Sequence, residues 1–250
     1  MSKLKEIKKT KKENKIKKII IGVSLFFILL IGTAISYLSD YYVALESPAS
    51  VEAVSDQVAI HSFENVTFYG DLECASALIF YPGGKVEAKA YEPLLQMIAS
   101  QGIGCALVEM PFHLAIFNID AADTVIEHFP EGKAWYLAGH SLGGAMAAEY
   151  TAEHQTTLAG LILLAAYPSS PLLEVFPVLS IRGSNDFVLN QENYNQSISN
   201  AENLTELILE GGNHGGFGNY GAQAGDGIAE MTQQEQWSQT ASAIVEFINP

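Results

Sequence analysis

The sequence predicts an α/β protein: a mostly parallel central sheet flanked by helices and preceded by one separate apolar helix. Two patterns predict this class. From about residue 57 onwards, short aliphatic runs alternate with stretches of helical periodicity, and this alternation is typical of βαβ units. Residues 19–38 contain no charged side chain, whereas the segment before them is rich in lysine. With 250 residues, of which 48% are hydrophobic, the chain can bury one sizeable core.

The N-terminal residues predict a membrane anchor. Nine of the 13 lysine and arginine residues lie within residues 1–18, directly before the uncharged stretch. A helix over residues 19–38 would be about 30 Å long, which matches the hydrocarbon thickness of a bilayer. Because lysines keep their end of such a helix in the cytoplasm, we expect a single-pass protein whose folded domain is extracellular. A cleaved signal peptide is the alternative, although Ala34-Ile35-Ser36 is a poor cleavage site.

Composition divides the chain into four segments. These are a basic cytoplasmic tail (1–18), a transmembrane anchor (19–38), a juxtamembrane linker (39–56) and a folded domain (57–250). Within the linker, Ser47-Pro48 is typical of the start of a helix. Beyond residue 38 the chain has 4 basic and 26 acidic residues, a formal charge of −22. Nucleic acid would repel such a domain, so we expect no nucleic-acid partner.

Hydrophobic periodicity and turn residues define the elements of the folded domain. Strands are predicted at about 57–62, 65–69, 77–81, 104–109, 134–138, 159–165, 177–182 and 204–209. Helices are predicted at about 88–101, 120–129, 142–154, 188–199 and 232–248, the last opened by the capping-box pattern of Thr232 and Glu235. Between the predicted strands at 159–165 and 177–182 there is only the short segment 167–176. We therefore expect no large lid at that point and an open site.

The most informative motif is G-H-S-L-G at residues 139–143. It follows a predicted strand and precedes a predicted helix, which is the context of a nucleophile elbow. In such a turn the serine, here Ser141, stands at the top of the sheet. The N-terminus of the following helix directs free N–H groups towards charge that develops during attack. An ordinary glycine-rich turn is the alternative for the pentapeptide alone.

A serine nucleophile needs a base, and the base needs an acid that orients it. After an elbow of this kind the chain order is serine, acid, histidine. Asp186 follows the strand at 177–182 and His214 follows the strand at 204–209, and the carboxyl ends of parallel strands are where such sheets place their sites. A helix cap is the alternative for Asp186 and a surface loop for His214, but their order and position together favour catalysis.

The other acids and histidines suit these roles less well. Glu109 also closes a strand, but it precedes Ser141 in the chain. Among the remaining histidines, His61 and His113 precede the motif. His128 and His154 lie at the ends of predicted helices, and His140 lies inside the motif.

An acyl-transfer site also needs two backbone N–H donors for the oxyanion. One donor comes from the residue after the nucleophile, here Leu142. The other comes from the loop after the strand at 77–81, where Tyr81 is followed by P-G-G-K. Gly84 or Gly83 is therefore the predicted second donor, and a plain Pro-Gly turn is the alternative.

The chain resembles the α/β-hydrolase superfamily. Four motifs carry the likeness: Y-P-G-G-K-V-E at 81–87, M-P at 110–111, G-H-S-L-G-G at 139–144 and G-G-N-H-G-G-F-G at 211–218. The chain is most similar, from about residue 57 onwards, to small bacterial α/β-hydrolases, many of them membrane-anchored, and is loosely similar to dienelactone hydrolases. The resemblance implies the α/β-hydrolase fold and a triad of Ser141, His214 and Asp186. Dienelactone hydrolases use a cysteine nucleophile, so their substrate is not implied.

These features predict a membrane-tethered, extracytoplasmic serine hydrolase that cleaves a small-molecule or polymer-borne ester through an acyl-enzyme. A non-catalytic binding protein of the same fold and an acyltransferase acting on cell-envelope components are the alternatives. The sequence contains no metal-ligand spacing, phosphate loop or dinucleotide fingerprint, so we expect no metal and no cofactor. Cys74 lies just before the predicted strand at 77–81 and Cys105 at the start of the predicted strand at 104–109, and either two unpaired residues or a disulfide fits that placement.

Overall fold

The computed structural model describes residues 2–46, 58–129 and 132–249. The chain forms two compact units, Met1–Asp40 and Tyr41–Pro250. The predicted helix start at Ser47-Pro48 and the first residue of the predicted strand at 57–62 lie outside the described residues.

The first unit is a single helix, α1 (Ser2–Ser39), which includes both the lysine-rich segment and the apolar stretch. Its part Lys17–Ser39 is long and apolar enough to cross a membrane, and none of that part is buried in protein. A membrane anchor and a signal sequence share these properties. The helix is therefore compatible with the predicted anchor and with its alternative.

The second unit contains eight strands and five α-helices among the described residues. The strands are β1 (Ile60–Phe63), β2 (Val66–Tyr69), β3 (Ser76–Tyr81), β4 (Gly104–Val108), β5 (Ala134–His140), β6 (Gly160–Leu164), β7 (Val178–Gly183) and β8 (Leu204–Leu209). The helices are α2 (Glu92–Ala99), α3 (Ala121–His128), α4 (Leu142–His154), α5 (Gln191–Ser197) and α6 (Gln233–Ile248). Short 3₁₀ turns lie at Ala88–Tyr91, Pro111–His113, Ala115–Phe117, Ile198–Asn200 and Gly215–Phe217.

The strands form one sheet in the order β1-β2-β4-β3-β5-β6-β7-β8. The β1–β2 and β2–β4 pairs are antiparallel, and all others are parallel. In register, Tyr81 of β3 pairs with Gly139 of β5, which pairs with Leu163 of β6. The carboxyl ends of β3, β5, β7 and β8 therefore open onto one edge of the sheet, and the predicted fold class is confirmed.

Two apolar layers cover the faces of the sheet because side chains alternate along each strand. On one face Leu78 and Phe80 of β3 join a cluster that includes Trp237 of α6 and residues of α2. On the other face, Ile79 joins a cluster with residues of α3 and α4. The sheet is therefore buried on both sides, which explains the near-continuous apolar runs of its central strands.

Two predicted helices begin later than the sequence indicates. The predicted helix at 88–101 starts with the 3₁₀ turn, and α2 begins at Glu92, with Pro93 in its first turn. The predicted helix at 188–199 begins only at Gln191. Its first residues are instead held by Asp186, whose carboxylate accepts the N–H groups that follow it, and the Asn190 side chain caps α5. The capping box of Thr232 and Glu235 opens α6 as expected.

Residues 41–46, part of the predicted linker, pack against the folded domain. Tyr42 donates its N–H to the Lys85 carbonyl at 2.8 Å and accepts one from Glu87 at 2.9 Å. The Leu45 N–H donates to the Asn219 carbonyl at 2.8 Å. These bonds attach the segment to the loop after β3 and to the loop before α6.

The two cysteines do not form a disulfide. Both are free thiols, with Cys105 buried and Cys74 partly buried.

Candidate active site

Ser141 lies at the turn between β5 and α4 in a conformation that few non-glycine residues adopt. Its φ is 52° and its ψ is −121°, and backbone strain of this kind costs about 1–3 kcal/mol. The Ser141 N–H donates to the Leu164 carbonyl at 2.9 Å, and its own carbonyl accepts from the Ala145 N–H at 3.0 Å. Bonds on both sides hold the turn, and its geometry is that of a nucleophile elbow.

The glycines of the motif permit this turn because strand and helix pass very close together. A Cβ on Gly139 would lie 2.5 Å from the backbone of Gly143. A Cβ on Gly143 would lie 2.2 Å from the carbonyl oxygens of Tyr81 and Pro82. Any side chain at these two positions would push α4 away from the sheet, so the spacing G-x-S-x-G follows from steric exclusion.

His214 and Asp186 form a buried pair on the loops after β8 and β7. Nδ1 of His214 lies 2.9 Å from Oδ2 of Asp186, and the two side chains are almost completely excluded from solvent. The other carboxylate oxygen of Asp186 accepts the N–H groups of Val188 at 3.0 Å and Leu189 at 2.8 Å. The carboxylate is thereby fixed as an acceptor, so Nδ1 of His214 is the donor.

The second ring nitrogen of His214 is the free one. Its Nε2 is buried and has no hydrogen-bond partner among the described residues, Ser141 included. With the proton on Nδ1, a neutral imidazole carries its lone pair at Nε2. In hydrolases without substrate, the serine–histidine bond is often long and tightens on binding. An unpaired basic nitrogen in this position can accept a proton.

The loop that carries His214 is held by two side chains that the sequence analysis did not single out. Asp226 accepts the N–H of His214 at 3.2 Å with one oxygen and the N–H of Gly215 at 2.8 Å with the other. Gln236 of α6, which is fully buried, accepts the Asn213 N–H at 3.2 Å and donates to the Asn213 carbonyl at 2.8 Å. The loop is therefore braced on both sides of the histidine.

Ser141 and His214 open into the same pocket. It has a volume of about 330 Å³ and is lined on its remaining sides mainly by small and apolar residues. These residues are Leu142, Ala145, Ala165, Ala166, Tyr167, Ser169, Val188, Leu189 and Asn190. Tyr167 and Ser169 belong to the short connection between β6 and β7, which therefore forms one wall without covering the pocket as a lid would.

His140, inside the motif, is buried between Tyr91 and His214. Its Nδ1 lies 2.8 Å from the Tyr91 hydroxyl, and its ring centroid lies 4.5 Å from that of His214. The same hydroxyl accepts the N–H of Gly83 at 3.0 Å. Burial, and to a smaller extent the adjacent His214, hold the pKa of His140 well below its usual value of 6.5. The Tyr91 hydroxyl therefore links the loop after β3 to β5.

The three predicted oxyanion donors have different surroundings. Leu142 is the first residue of α4, so its N–H has no acceptor within the helix. Gly84 lies beside it, since a Cβ on Gly84 would be 2.8 Å from the Leu142 side chain. The Gly83 N–H is already bonded to Tyr91. Leu142 and Gly84 are therefore adjacent, whereas the N–H of Gly83 is engaged with Tyr91.

The alternative candidates lie elsewhere. Glu109 and His113 line a separate cavity of about 160 Å³. A larger cavity of about 570 Å³ includes His61 but none of the residues Ser141, Asp186 and His214. Within the part of the chain that the structure describes, no group of three histidine, cysteine or acidic side chains is arranged to hold a metal ion.

Comparison with known proteins identifies the family. A family model described as "Alpha/beta hydrolase family" matches residues 77–238, more than half of the chain. The chain belongs to the alpha/beta hydrolase family. The match includes every residue of the pocket and the parallel strands from the second residue of β3 to the end of β8. A search of curated proteins found no match.

Solved structures share the fold of this hydrolase at low identity. Est1E from Butyrivibrio proteoclasticus is 13% identical with a TM-score of 0.55, over 77% of this chain and 99% of its own. TT1662 from Thermus thermophilus is 14% identical with a TM-score of 0.59, over 78% and 99%. The monoacylglycerol lipase of Paleococcus ferrophilus is 14% identical with a TM-score of 0.56, over 76% and 99%. At these identities the likeness concerns the fold.

Proposed function

We propose that this alpha/beta hydrolase is a serine esterase with a triad of Ser141, His214 and Asp186. The observation that carries the proposal is the buried His214–Asp186 pair with its unpaired Nε2 nitrogen, in the same pocket as a strained serine. A monoacylglycerol lipase among the structural neighbours is in keeping with it. Both oxygens of the buried Asp186 carboxylate have hydrogen-bond partners, as a buried acid requires.

In the proposed reaction, Oγ of Ser141 attacks the acyl carbonyl of the ester and transfers its proton to Nε2 of His214. Asp186 stabilises the imidazolium and keeps the ring in the required tautomer. The N–H groups of Leu142 and Gly84 bind the oxyanion of the tetrahedral intermediate. His214 then returns the proton to the leaving alcohol, and water hydrolyses the acyl-enzyme by the same steps. Neither a metal nor a cofactor takes part.

The substrate we propose is an ester of a small molecule or of a polymer in the cell envelope. The pocket volume of about 330 Å³ lies at the low end of the range for small-molecule sites, which favours a short acyl group. We also propose that α1 tethers the domain to the membrane with the lysine-rich end in the cytoplasm, because lysines precede the apolar stretch. The domain, with its large negative charge, then lies outside the cell.

A fluorophosphonate probe tests the central step. Such probes react only with an activated serine, so we expect the full-length chain to be labelled and Ser141→Ala to remain unlabelled. A protein of this fold that only binds ligands would give no labelling in either chain. Product analysis with an added alcohol separates hydrolysis from acyl transfer, because an acyltransferase would form the new ester in preference to the free acid.

A further inference from the structure

Two uncharged apolar segments of the unit Tyr41–Pro250 meet next to the loop after β3. Residues 110–119 and 41–45 contain no acidic or basic residue apart from His113, although the chain beyond residue 38 has 26 acidic side chains. The rings of Tyr41 and His113 lie 4.0 Å apart between their centroids, which brings the two segments into contact.

Four side chains of these segments form what we call the apolar patch: Tyr41, Phe112, Ile116 and Phe117. All four are exposed, Phe112 by 60%, Phe117 by 56% and Ile116 by 54%. Phe112 and Phe117 also contact each other, with centroids 5.7 Å apart. Soluble domains rarely gather large exposed hydrophobic residues in this way unless the surface meets a partner or a membrane.

The backbone beneath the patch is strained. Phe112 and His113 are consecutive non-glycine residues with positive φ angles of 54° and 57°. This conformation is unfavourable for bulky side chains. If the Phe112 ring were buried inside the domain, the free energy of its burial would offset the strain, but the side chain is mostly exposed. The strain is explained if the exposed ring is buried outside the domain.

The position of the patch in the chain indicates which surface it can meet. The apolar helix ends at Ser39, so Asp40 is the single residue between that helix and Tyr41. Two residues of extended chain span at most about 7 Å. If α1 lies in a bilayer, Tyr41 is at the level of the lipid headgroups, where aromatic side chains are favoured. The patch contains no acidic residue, so its contact with a negatively charged lipid surface is not opposed by the electrostatic repulsion that the acidic remainder of the domain would meet.

We propose that the apolar patch binds the surface of the bilayer in which the chain's own N-terminal helix is anchored. The patch is attached to the active-site rim, since Lys85, directly after Gly84, donates its N–H to the His113 carbonyl at 2.7 Å. Binding would place the mouth of the pocket at the lipid surface. This consequence rests on the proposed esterase activity. Under that activity, binding of the patch narrows the substrate class to an ester carried by a membrane-resident molecule.

A lipid-depth measurement tests the binding. The full chain is reconstituted in phosphatidylcholine vesicles as Phe112→Cys, with Cys74→Ser to remove the accessible thiol, and carries an environment-sensitive fluorophore at residue 112. We expect quenching by lipids with nitroxide-labelled acyl chains. Ile60→Cys is the matched control, because Ile60 is 53% exposed but lies on the edge strand β1. Equal quenching at both positions, or quenching that depends on protein density and not on lipid, would overturn the proposal.

An activity measurement tests the consequence for substrate. Phe112→Ser combined with Phe117→Ser should lower turnover of an ester embedded in the same vesicles by about tenfold, while turnover of a water-soluble ester with the same acyl group stays unchanged. Ile60→Ser should affect neither. An equal effect on both esters, or none, would contradict the inference. Failure of the wild type to cleave any ester would instead refute the proposed function, and the quenching result would still decide on the patch.

Discussion

The hydroxyl of Tyr91 lies 2.8 Å from Nδ1 of His140 in the interior of the folded domain. It also accepts the N–H of Gly83 at 3.0 Å, so one side chain connects the loop after β3 with the strand that leads to Ser141. A Cβ on Gly83 would lie 2.6 Å from this hydroxyl, which leaves no room for any other residue. The distance between the proposed oxyanion donors therefore depends on Tyr91.

Tyr91→Phe should lower kcat by about tenfold with little change in KM. The change leaves the Gly83 N–H buried without an acceptor, at a cost of about 1–3 kcal/mol, and the loop can relax from the position that suits the transition state. Tyr69→Phe is the control, because it removes a comparable hydroxyl whose partner is Glu92, 2.7 Å away and outside the site. Equal kinetic effects of the two substitutions would indicate a general loss of stability.

Ser141→Ala should remove activity by a factor on the order of 10⁴ to 10⁶ while the fold is retained. The reason is the loss of the only nucleophile that the proposed mechanism uses. Ser169→Ala provides the control, since Ser169 lines the same pocket but donates to Glu149. Initial rates on a soluble short-chain ester measure both. Activity of Ser141→Ala within tenfold of the wild type would refute the triad.

Asp226→Asn should lower kcat by about tenfold, because an amide keeps only one of the two oxygens that hold the N–H groups of His214 and Gly215. The histidine loop then loses its fixed position relative to Ser141. Asp71→Asn is a matched control, in which an exposed aspartate that accepts the Glu73 N–H is changed in the same way. Normal kinetics of the Asp226 variant would show that Gln236 alone suffices to hold the loop.

His140 should make the fold sensitive to acid. Its pKa in the folded protein lies well below 6.5 because of burial and the adjacent His214, whereas in the unfolded chain it is about 6.5. Below about pH 6.5 the unfolded state therefore binds a proton that the native state does not. Below that pH the free energy of unfolding falls as the pH decreases, by up to about 1.4 kcal/mol per pH unit. Above about pH 6.5, His140 causes no such loss of stability.

The variant His140→Asn tests this contribution to stability, since the asparagine amide can donate or accept a hydrogen bond but does not titrate. Denaturant unfolding of the full chain at about pH 7.5 and about pH 5.5 should show a smaller loss of stability for the variant than for the wild type. An identical loss in the two proteins would mean that His140 binds its proton equally in the folded and unfolded states.

Protease added to intact cells should digest the folded domain and spare the lysine-rich tail. This follows from the nine lysines before the apolar stretch and their preference for the cytoplasm. Antibodies against tags at each end of the chain would report the two fragments. Mature protein that begins near residue 37 in the medium would show a cleaved signal peptide instead.

The sequence alone was sufficient to predict the order of strands and helices, the fold class, and Ser141, Asp186 and His214 as a set of candidates. These predictions depend on local chemistry. Alternating apolar runs specify strands and helices over a few residues, and the glycines of G-x-S-x-G are required by contacts with the adjacent turn. The edge on which the three residues meet then follows from the parallel arrangement of the strands.

Only the tertiary structure decided what supports those residues. Tyr91 and His140 are 49 positions apart, and Asp226 and His214 are 12 apart, so no local pattern relates them. The bond between the Gly83 N–H and the Tyr91 hydroxyl, on which the proposed role of Gly84 depends, is likewise not a local feature. The contact of Tyr41 with His113 joins two segments that are individually unremarkable in sequence. Such pairs arise because packing of the two apolar layers brings distant polar groups together, and buried polar groups must then find partners among whatever lies beside them.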